Sequence, residues 1–140
     1  PPEGVRPPWS RAASIAAACT GCGACVPACP QHIIALDAGG RPILSFVASE
    51  CSFCGACAEA CAEPVFDRLI PAFDHVAAVG ADCFAQRGIV CQSCGDACPV
   101  QAIRFRPAVM AAAQPEVDND LCTGCGACYA PCPAQAIRIG

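Results

Sequence analysis

Cysteine dominates this sequence: sixteen of its 140 residues are cysteine, and they fall into four groups of four. Three groups share the spacing C-x2-C-x2-C-x3-C: Cys19, Cys22, Cys25 and Cys29; Cys51, Cys54, Cys57 and Cys61; and Cys122, Cys125, Cys128 and Cys132. The remaining group keeps the last two gaps but has seven residues between its first two members: Cys83, Cys91, Cys94 and Cys98. In [4Fe-4S] proteins with this spacing, three thiolates bind one cluster and the fourth reaches a second cluster. The sequence therefore predicts four [4Fe-4S] clusters.

We call each group of four cysteines, with the residues between them, a cassette. Disulfide bonds and zinc binding are the two alternatives to iron–sulfur binding for these cassettes. Disulfide partners need Cα atoms within about 7 Å of each other, and disulfide-rich domains seldom repeat one short cassette. Zinc sites usually join two C-x2-C pairs across a spacer. Proline follows the last cysteine at Pro30, Pro99 and Pro133, as in iron–sulfur ligand loops. The pattern therefore favours iron–sulfur clusters over disulfides and zinc.

The composition leaves few large apolar residues for a core. Hydrophobic residues make up 55% of the chain, but this figure includes the cysteines and many alanines, and aromatic residues make up only 6%. Each half, at roughly 70 residues, has a size at which domains commonly depend on a metal or another cross-link. We therefore expect folding to be coupled to cluster loading.

The net charge is −4, and the basic residues are all arginine. Each oxidised cluster with four thiolates adds about −2, so the loaded protein is strongly acidic. This charge argues against nucleic acid or an anionic membrane as a partner. No run approaches the ~20 apolar residues of a membrane span, and no signal peptide is visible. Because free thiols survive best in a reducing compartment, we expect a cytoplasmic protein.

Repeated sequence follows the cassettes. Pro99-Val-Gln-Ala-Ile-Arg-Phe and Pro133-Ala-Gln-Ala-Ile-Arg-Ile are near copies, and Pro30-Gln-His-Ile-Ile-Ala-Leu is a looser one. Each cassette is expected to lead into a short helical turn, and the proline then favours an exit into a β-branched strand. Asp37-Ala-Gly-Gly-Arg41 predicts a hairpin between the first two cassettes.

Between the last two cassettes, residues 102–106 and 116–118 are expected to be strands joined by an alanine-rich link, residues 107–115. The stretch 63–80 is interpreted as the junction between domains. Three thiolates within seven residues require sharp turns with positive φ values, which are expected at the central glycines Gly23, Gly55, Gly95 and Gly126.

These features resemble tandem two-cluster bacterial ferredoxin domains. Further details resemble the NapF family, ferredoxin-type accessory proteins of the periplasmic nitrate reductase system. They are Arg6-Pro-Pro-Trp9 before the first cassette, a second cassette without the following proline, and a third cassette whose first ligand stands apart in Asp82-Cys83-Phe-Ala-Gln-Arg-Gly-Ile-Val-Cys91. The resemblance spans nearly the whole chain.

The sequence contains no C-x3-C-x2-C motif with an open iron site and nothing else that supports catalysis, so the protein is expected not to be an enzyme. The resemblance implies a protein that contacts the nitrate reductase catalytic subunit in the cytoplasm before export. There it would help to install an iron–sulfur centre or supply electrons for maturation. Trp9 and Arg6 are candidates for docking a partner, or they belong to an exposed arm without a role. The alternative function is a generic polyferredoxin electron carrier, or an electron-transfer subunit of another oxidoreductase. No small-molecule substrate is expected.

We predict a small α+β protein with a Pro-rich N-terminal arm (1–14) and two tandem bacterial ferredoxin-like domains (15–70 and 71–140), each with two clusters. In tandem pairing, the first three cysteines of one cassette join the last cysteine of its neighbour. The predicted ligand sets are Cys19, Cys22, Cys25 and Cys61; Cys51, Cys54, Cys57 and Cys29; Cys83, Cys91, Cys94 and Cys132; and Cys122, Cys125, Cys128 and Cys98. The rival is a nested arrangement that pairs the first cassette with the fourth and the second with the third.

Five residues outside the thiol set were also assigned roles. His32 and His75 are expected to be surface or packing residues, because every cluster already has four thiolates. Phe53 and Tyr129 lie inside cassettes and are expected to cover a cluster face. The longer gap before Cys91 is expected to leave one cluster more exposed than the others, with Arg87 near it.

Overall fold

A computed structural model describes residues 5–139. Its elements in chain order are α1 (Ala12–Ala18), α2 (Cys25–Ala28), β1 (Ile34–Leu36), β2 (Pro42–Leu44), α3 (Ala56–Ala60), β3 (Ala77–Val79), α4 (Ser93–Ala97), β4 (Ile103–Ala108), β5 (Ala111–Val117) and β6 (Ile137–Ile139). Within the described range, every helix is too short to span the apolar part of a bilayer. The protein is thus a small mixture of helices and antiparallel strand pairs.

The chain forms two compact units, Pro1–Asp74 and His75–Gly140. The boundary between them falls within residues 63–80, the stretch interpreted from the sequence as a junction. Each unit contains two of the four cassettes.

In the first unit, β1 and β2 form the hairpin that the sequence predicts. Ile34 lies opposite Leu44 and Leu36 lies opposite Pro42. At the turn, the Asp37 N–H donates to the Arg41 carbonyl (2.8 Å), and the Asp37 carboxylate accepts from the backbone N–H groups of residues 39 and 41. The hairpin prediction is therefore confirmed, and the Asp37 side chain explains why the turn closes at this point.

The segment before the first cassette packs onto this unit. Pro7 is fully buried, and the buried Ser10 hydroxyl donates to the Pro7 carbonyl at 2.7 Å. The Trp9 N–H donates to the Ala72 carbonyl, and the Asp67 N–H donates to the Trp9 carbonyl, both at 2.8 Å. Residues 5–14 of the expected arm are thus tied to the end of the first unit, while residues 1–4 of it lie outside the described residues.

The second unit contains two strand pairs, β3 with β6 and β4 with β5. The prediction of an alanine-rich link at residues 107–115 is wrong, because strands β4 and β5 continue through it to a two-residue turn at Val109 and Met110. Pro107 and Pro115 are tolerated because both strands of a two-stranded ribbon are edges, where a missing N–H leaves no ladder bond unmade. Strand β3 was not predicted either.

Buried residues other than cysteine are mostly small or aliphatic. They are Ile15, Ile33, Ile34, Leu44, Phe46 and Val65 in the first unit, and Ala77, Ala85, Ala102, Ile103, Ala112, Ala136 and Ile137 in the second. Eight cysteines are buried among them: Cys25, Cys29, Cys51, Cys57, Cys83, Cys94, Cys125 and Cys128. Thiols therefore occupy the positions that large apolar side chains fill in an ordinary core.

Met110 at the tip of the β4–β5 hairpin offers a test of the turn. It is fully exposed and has a φ of 56°, in the left-handed region that is unfavourable for a residue with a Cβ by about 1 kcal/mol or more. Met110→Gly should relieve this strain and so stabilise the folded state. Part of this gain is offset because glycine loses more conformational entropy than methionine on folding. We expect the anaerobic melting temperature of the second unit to rise by roughly 2–4 °C.

Val109→Gly is the matched control, because Val109 is equally exposed but is not in the left-handed region. Glycine at this position should lower the melting temperature. Equal effects of the two substitutions would contradict the turn described here.

Candidate metal centres

The ligand loops have a common backbone conformation. In three cassettes the glycine after the second cysteine has a positive φ, with values of 75°, 79° and 82° at Gly23, Gly55 and Gly126. Gly95 differs from the expectation: it lies inside α4, and a Cβ on it would be 2.7 Å from the Phe105 ring. Gly95 thus allows a side chain of β4 to approach the helix closely, whereas the other three glycines allow the turn itself.

The exits from three cassettes also share a turn. The third residue after the last cysteine has a positive φ and donates its N–H to the carbonyl of that cysteine: His32, Gln101 and Gln135. In two copies a second N–H donates to the cysteine sulfur, from Ala102 to Cys98 Sγ (3.2 Å) and from Ala136 to Cys132 Sγ (3.4 Å). In all three copies a proline follows the cysteine, and the residue with the positive φ is the second residue after that proline, glutamine in two copies and histidine in the first. The prediction that His32 has a structural role agrees with its place in the turn.

In the first unit, thiols from both cassettes surround each of two cavities. Cys19, Cys22 and Cys25 line a cavity of about 230 Å³, together with Cys61 from the second cassette. The other cavity, of about 20 Å³, is lined by a second set of four: Cys29, Cys51, Cys54 and Cys57. The last cysteine of each cassette therefore lies beside the first three of the other.

In the second unit, one cavity of about 20 Å³ has the same kind of lining: Cys98 with Cys122, Cys125 and Cys128. Around Cys94, the neighbouring thiols that act on its ionisation belong to Cys132 and Cys83. Cys91 is half-buried, with its sulfur 3.8 Å from the Ser93 hydroxyl. Three of these four thiols are thus close together.

The thiols are arranged around cavities instead of converging on points. Among residues 5–139, no three or more His, Cys, Asp or Glu side chains are placed to hold a single metal ion. A zinc ion would need four donors within about 2.3 Å of one centre, whereas the iron atoms of a cubane are bound at separate corners, each by one thiolate. Four sulfurs lining one small cavity fit the second kind of centre.

Burial sets the ionisation of several of these thiols. It raises the pKa of Cys57 and of Cys94 to about 11 and that of Cys128 to about 12, and neighbouring thiolates raise each pKa further. By contrast, hydrogen bonds from the Ala24 backbone and the Thr20 side chain lower the pKa of Cys22. The buried thiols are therefore protonated at neutral pH before metal binds, and cluster insertion must release these protons.

Backbone N–H groups also reach sulfurs in both units. The Phe53 N–H donates to Cys51 Sγ and the Ala77 N–H donates to Cys122 Sγ, each at 3.4 Å. Such donors stabilise negative charge on the thiolate and on a cluster attached to it. His75 contacts the fourth cassette in a different way, through its Nε2 at 2.9 Å from the Gly124 carbonyl oxygen.

The other residues singled out in the sequence have different surroundings. Phe53 packs edge-to-face against Trp9 and Phe73, with ring centroids 6.5 and 5.8 Å away. Tyr129 is 37% exposed. Arg87 lies on the surface of the loop before Cys91.

Sequence reasoning missed Arg68, which lies against the second cassette. A Cβ on the buried Gly55 would be 2.7 Å from the Arg68 Cζ, so the guanidinium occupies the space that a side chain would fill. The same Cζ lies 4.1 Å from the centroid of the Trp9 ring. Arg68 follows Cys61 by seven residues in a segment without a motif, so no sequence pattern points to it.

Comparisons with known proteins identify the family of this chain. The 4Fe-4S dicluster domain family matches residues 18–65 and 88–136. The ferredoxin-type protein NapF of Escherichia coli K12 is 45% identical over 137 residues, which cover 96% of this chain and 84% of that protein. NapF of Haemophilus influenzae is 44% identical over 97% of this chain and 78% of its own length.

Among solved structures, a chain of a formate dehydrogenase–heterodisulfide reductase–formylmethanofuran dehydrogenase complex from Methanospirillum hungatei is 20% identical. The alignment covers 87% of this chain and 52% of that one, with a TM-score of 0.37, a similarity too weak to bear on the fold. The two matched ranges contain every cysteine of the chain except Cys83, which lies just before the second range, and two dicluster domains with these sixteen cysteines provide for four [4Fe-4S] clusters. The chain belongs to the NapF family of ferredoxin-type iron–sulfur proteins.

Proposed function

We propose that this chain is a four-cluster electron-transfer protein that serves in the cytoplasm in the maturation of a periplasmic nitrate reductase catalytic subunit before its export. The observation that supports electron transfer most directly is the lining of the cavities, where four thiols from two cassettes surround a single space. When bound there, [4Fe-4S] clusters exchange single electrons. The protein itself holds, shields and positions them and carries out no catalysis.

The proposed fold is α+β, with two bacterial ferredoxin-like domains at residues 15–70 and 71–140. The proposed ligands follow tandem pairing, with these sets: Cys19, Cys22, Cys25 and Cys61; Cys51, Cys54, Cys57 and Cys29; Cys83, Cys91, Cys94 and Cys132; and Cys122, Cys125, Cys128 and Cys98. Supporting this assignment, three sets each line one cavity, and the neighbours of Cys94 come from the remaining set. A nested arrangement would require thiols of different compact units to share each cluster.

Short paths between the two centres of one unit also favour electron transfer. Helix α2 ends beside Cys29 and contacts α3, which ends beside Cys61. Each helix therefore begins near one cavity and delivers its last cysteine to the other. Two redox groups held in this way would share both ligand loops, and these loops would connect them through a short stretch of backbone within the unit.

The maturation role is supported by family membership and by charge. NapF relatives are described as ferredoxin-type proteins, and the assignment to nitrate reductase follows that family name. The acidic balance of this chain, −4 before cluster charge, would steer it toward a basic patch on a partner. A generic electron carrier with the same clusters is the alternative that the binding experiment below distinguishes.

Tandem pairing predicts that the two units hold clusters independently. Residues 1–74 and 75–140, produced separately and reconstituted without oxygen, should each bind about eight iron and eight sulfide. Cys61→Ser in the first fragment should remove roughly half of that iron, because one ligand of one cluster is lost. Iron and acid-labile sulfide assays measure both outcomes.

Failure of both fragments to retain iron, while the whole chain binds about sixteen, would instead indicate nested pairing. Colourless full-length protein that contains zinc and no sulfide would overturn the cluster assignment altogether.

The maturation role predicts selective binding. The loaded protein should capture the unexported precursor of the catalytic subunit, and the interaction should weaken as salt rises because it is steered by charge. The exported, mature subunit is the matched control and should bind less. A binding assay at two salt concentrations measures the difference, and weak, equal binding to several redox enzymes with none to the precursor would support the generic carrier.

A further inference from the structure

A positive charge is held on the ligand loop of one proposed cluster. Gly55 lies between Cys54 and Cys57, lines the same cavity as these two cysteines, and is buried. Its φ of 79° turns the place of the missing side chain toward Arg68, whose guanidinium fills that place. The cation therefore lies against the backbone of a residue that lines the cavity.

Trp9 holds this guanidinium in position. The Arg68 Cζ lies 4.1 Å from the Trp9 ring centroid, a cation–π geometry. The Trp9 backbone is itself bonded on both sides, to the Ala72 carbonyl and the Asp67 N–H, at 2.8 Å each. The Trp9 ring also meets the edge of Phe53 inside the second cassette. Arg68 is thus clamped between an aromatic ring and the ligand loop, although part of its side chain is exposed.

Among residues 5–139, Arg68 takes part in no ion pair within 4.0 Å. In the described part of the chain, the ion pairs within 4.0 Å involve other arginines, Arg11 with Asp74 and Arg106 with Glu116. Arg41, in the β1–β2 turn, contacts the first cassette, where its guanidinium donates to the carbonyl oxygen of Cys19.

We infer that Arg68 is a potential-setting residue, whose guanidinium raises the reduction potential of the cluster held by Cys29, Cys51, Cys54 and Cys57. Uptake of one electron adds one negative charge to that centre without making or breaking a bond, and a nearby cation stabilises the more negative state. Trp9 is the positioning residue, because its ring holds the Arg68 guanidinium against the backbone of Gly55. The inference rests on the proposed ligand assignment and goes beyond it by giving one centre a distinct potential.

The test is a redox titration of the full-length, anaerobically purified protein, followed by electron paramagnetic resonance. Arg68→Gln should lower the potential of one cluster and leave the other three unchanged. We expect a roughly threefold to tenfold loss in the equilibrium constant for its reduction, where tenfold corresponds to ~59 mV for one electron. The shift should shrink at high salt because the side chain is partly exposed. Arg106→Gln, on the β4–β5 hairpin, is the matched control and should shift nothing.

Two further variants separate charge from packing. Arg68→Lys keeps the charge and should retain most of the potential, whereas a purely structural role would make Lys and Gln equivalent. Trp9→Leu should lower the same potential, and combined with Arg68→Gln it should add little, because both changes remove one interaction. If Arg68→Gln loses iron, the Lys and Trp9→Leu variants decide the question by the same measurement.

Unchanged potentials in Arg68→Gln protein with full iron content would overturn the inference and leave the proposed function standing. Wild-type protein without clusters would overturn the proposed function, and the inference with it. A shift in all four clusters would show a general loss of packing and would also refute the specific role of Arg68.

Discussion

The exchange of thiols between neighbouring cassettes organises this protein. In the first unit, Cys61 lies at the cavity of the first cassette and Cys29 lies at the cavity of the second, so each cavity is lined by thiols of both cassettes. Two loops that are far apart in sequence must then face each other. Helices α2 and α3, each only four or five residues long, serve mainly to carry the last cysteine from one cavity to the other.

This constraint explains why so little apolar surface is enough. Isolated helices of this length are not stable in water, and two-stranded hairpins are marginal. More than half of the buried apolar positions hold cysteine or alanine, where other small domains hold larger apolar side chains. Bonds between thiolates and iron would replace hydrophobic burial as the main cross-link, and the free energy of metal binding then becomes folding free energy.

Burial of the cysteines also affects how readily their thiols lose a proton. Thiols such as Cys57 and Cys128 have raised pKa values because they are shielded from water and lie beside other thiolates. Backbone N–H groups that point at sulfur, and the guanidinium of Arg68 on Gly55, act in the opposite sense by stabilising negative charge. The protein can therefore tune its centres individually while their ligands stay chemically identical.

Local sequence determined the features that depend on a few adjacent residues. Cysteine spacing was sufficient to predict four clusters, and Asp37-Ala-Gly-Gly-Arg41 was sufficient to predict the first hairpin, because turn chemistry acts over four or five residues. The second hairpin was missed because its tip, Val109-Met110, carries no turn residue and its strands contain prolines. Gly95 was misread because its role depends on Phe105, ten residues away.

Only the tertiary structure could decide which distant residues meet. The pairing of β3 with β6 joins residues from opposite ends of the second unit, and the placement of Trp9 depends on backbone hydrogen bonds to Asp67 and Ala72. Arg68 reaches Gly55 and Trp9 from a segment with no pattern of its own. The ligand spacing can be read from the sequence because residues close together in the chain must bind one cluster. The position of the Arg68 charge depends on packing between distant residues, and no local sequence pattern predicts it.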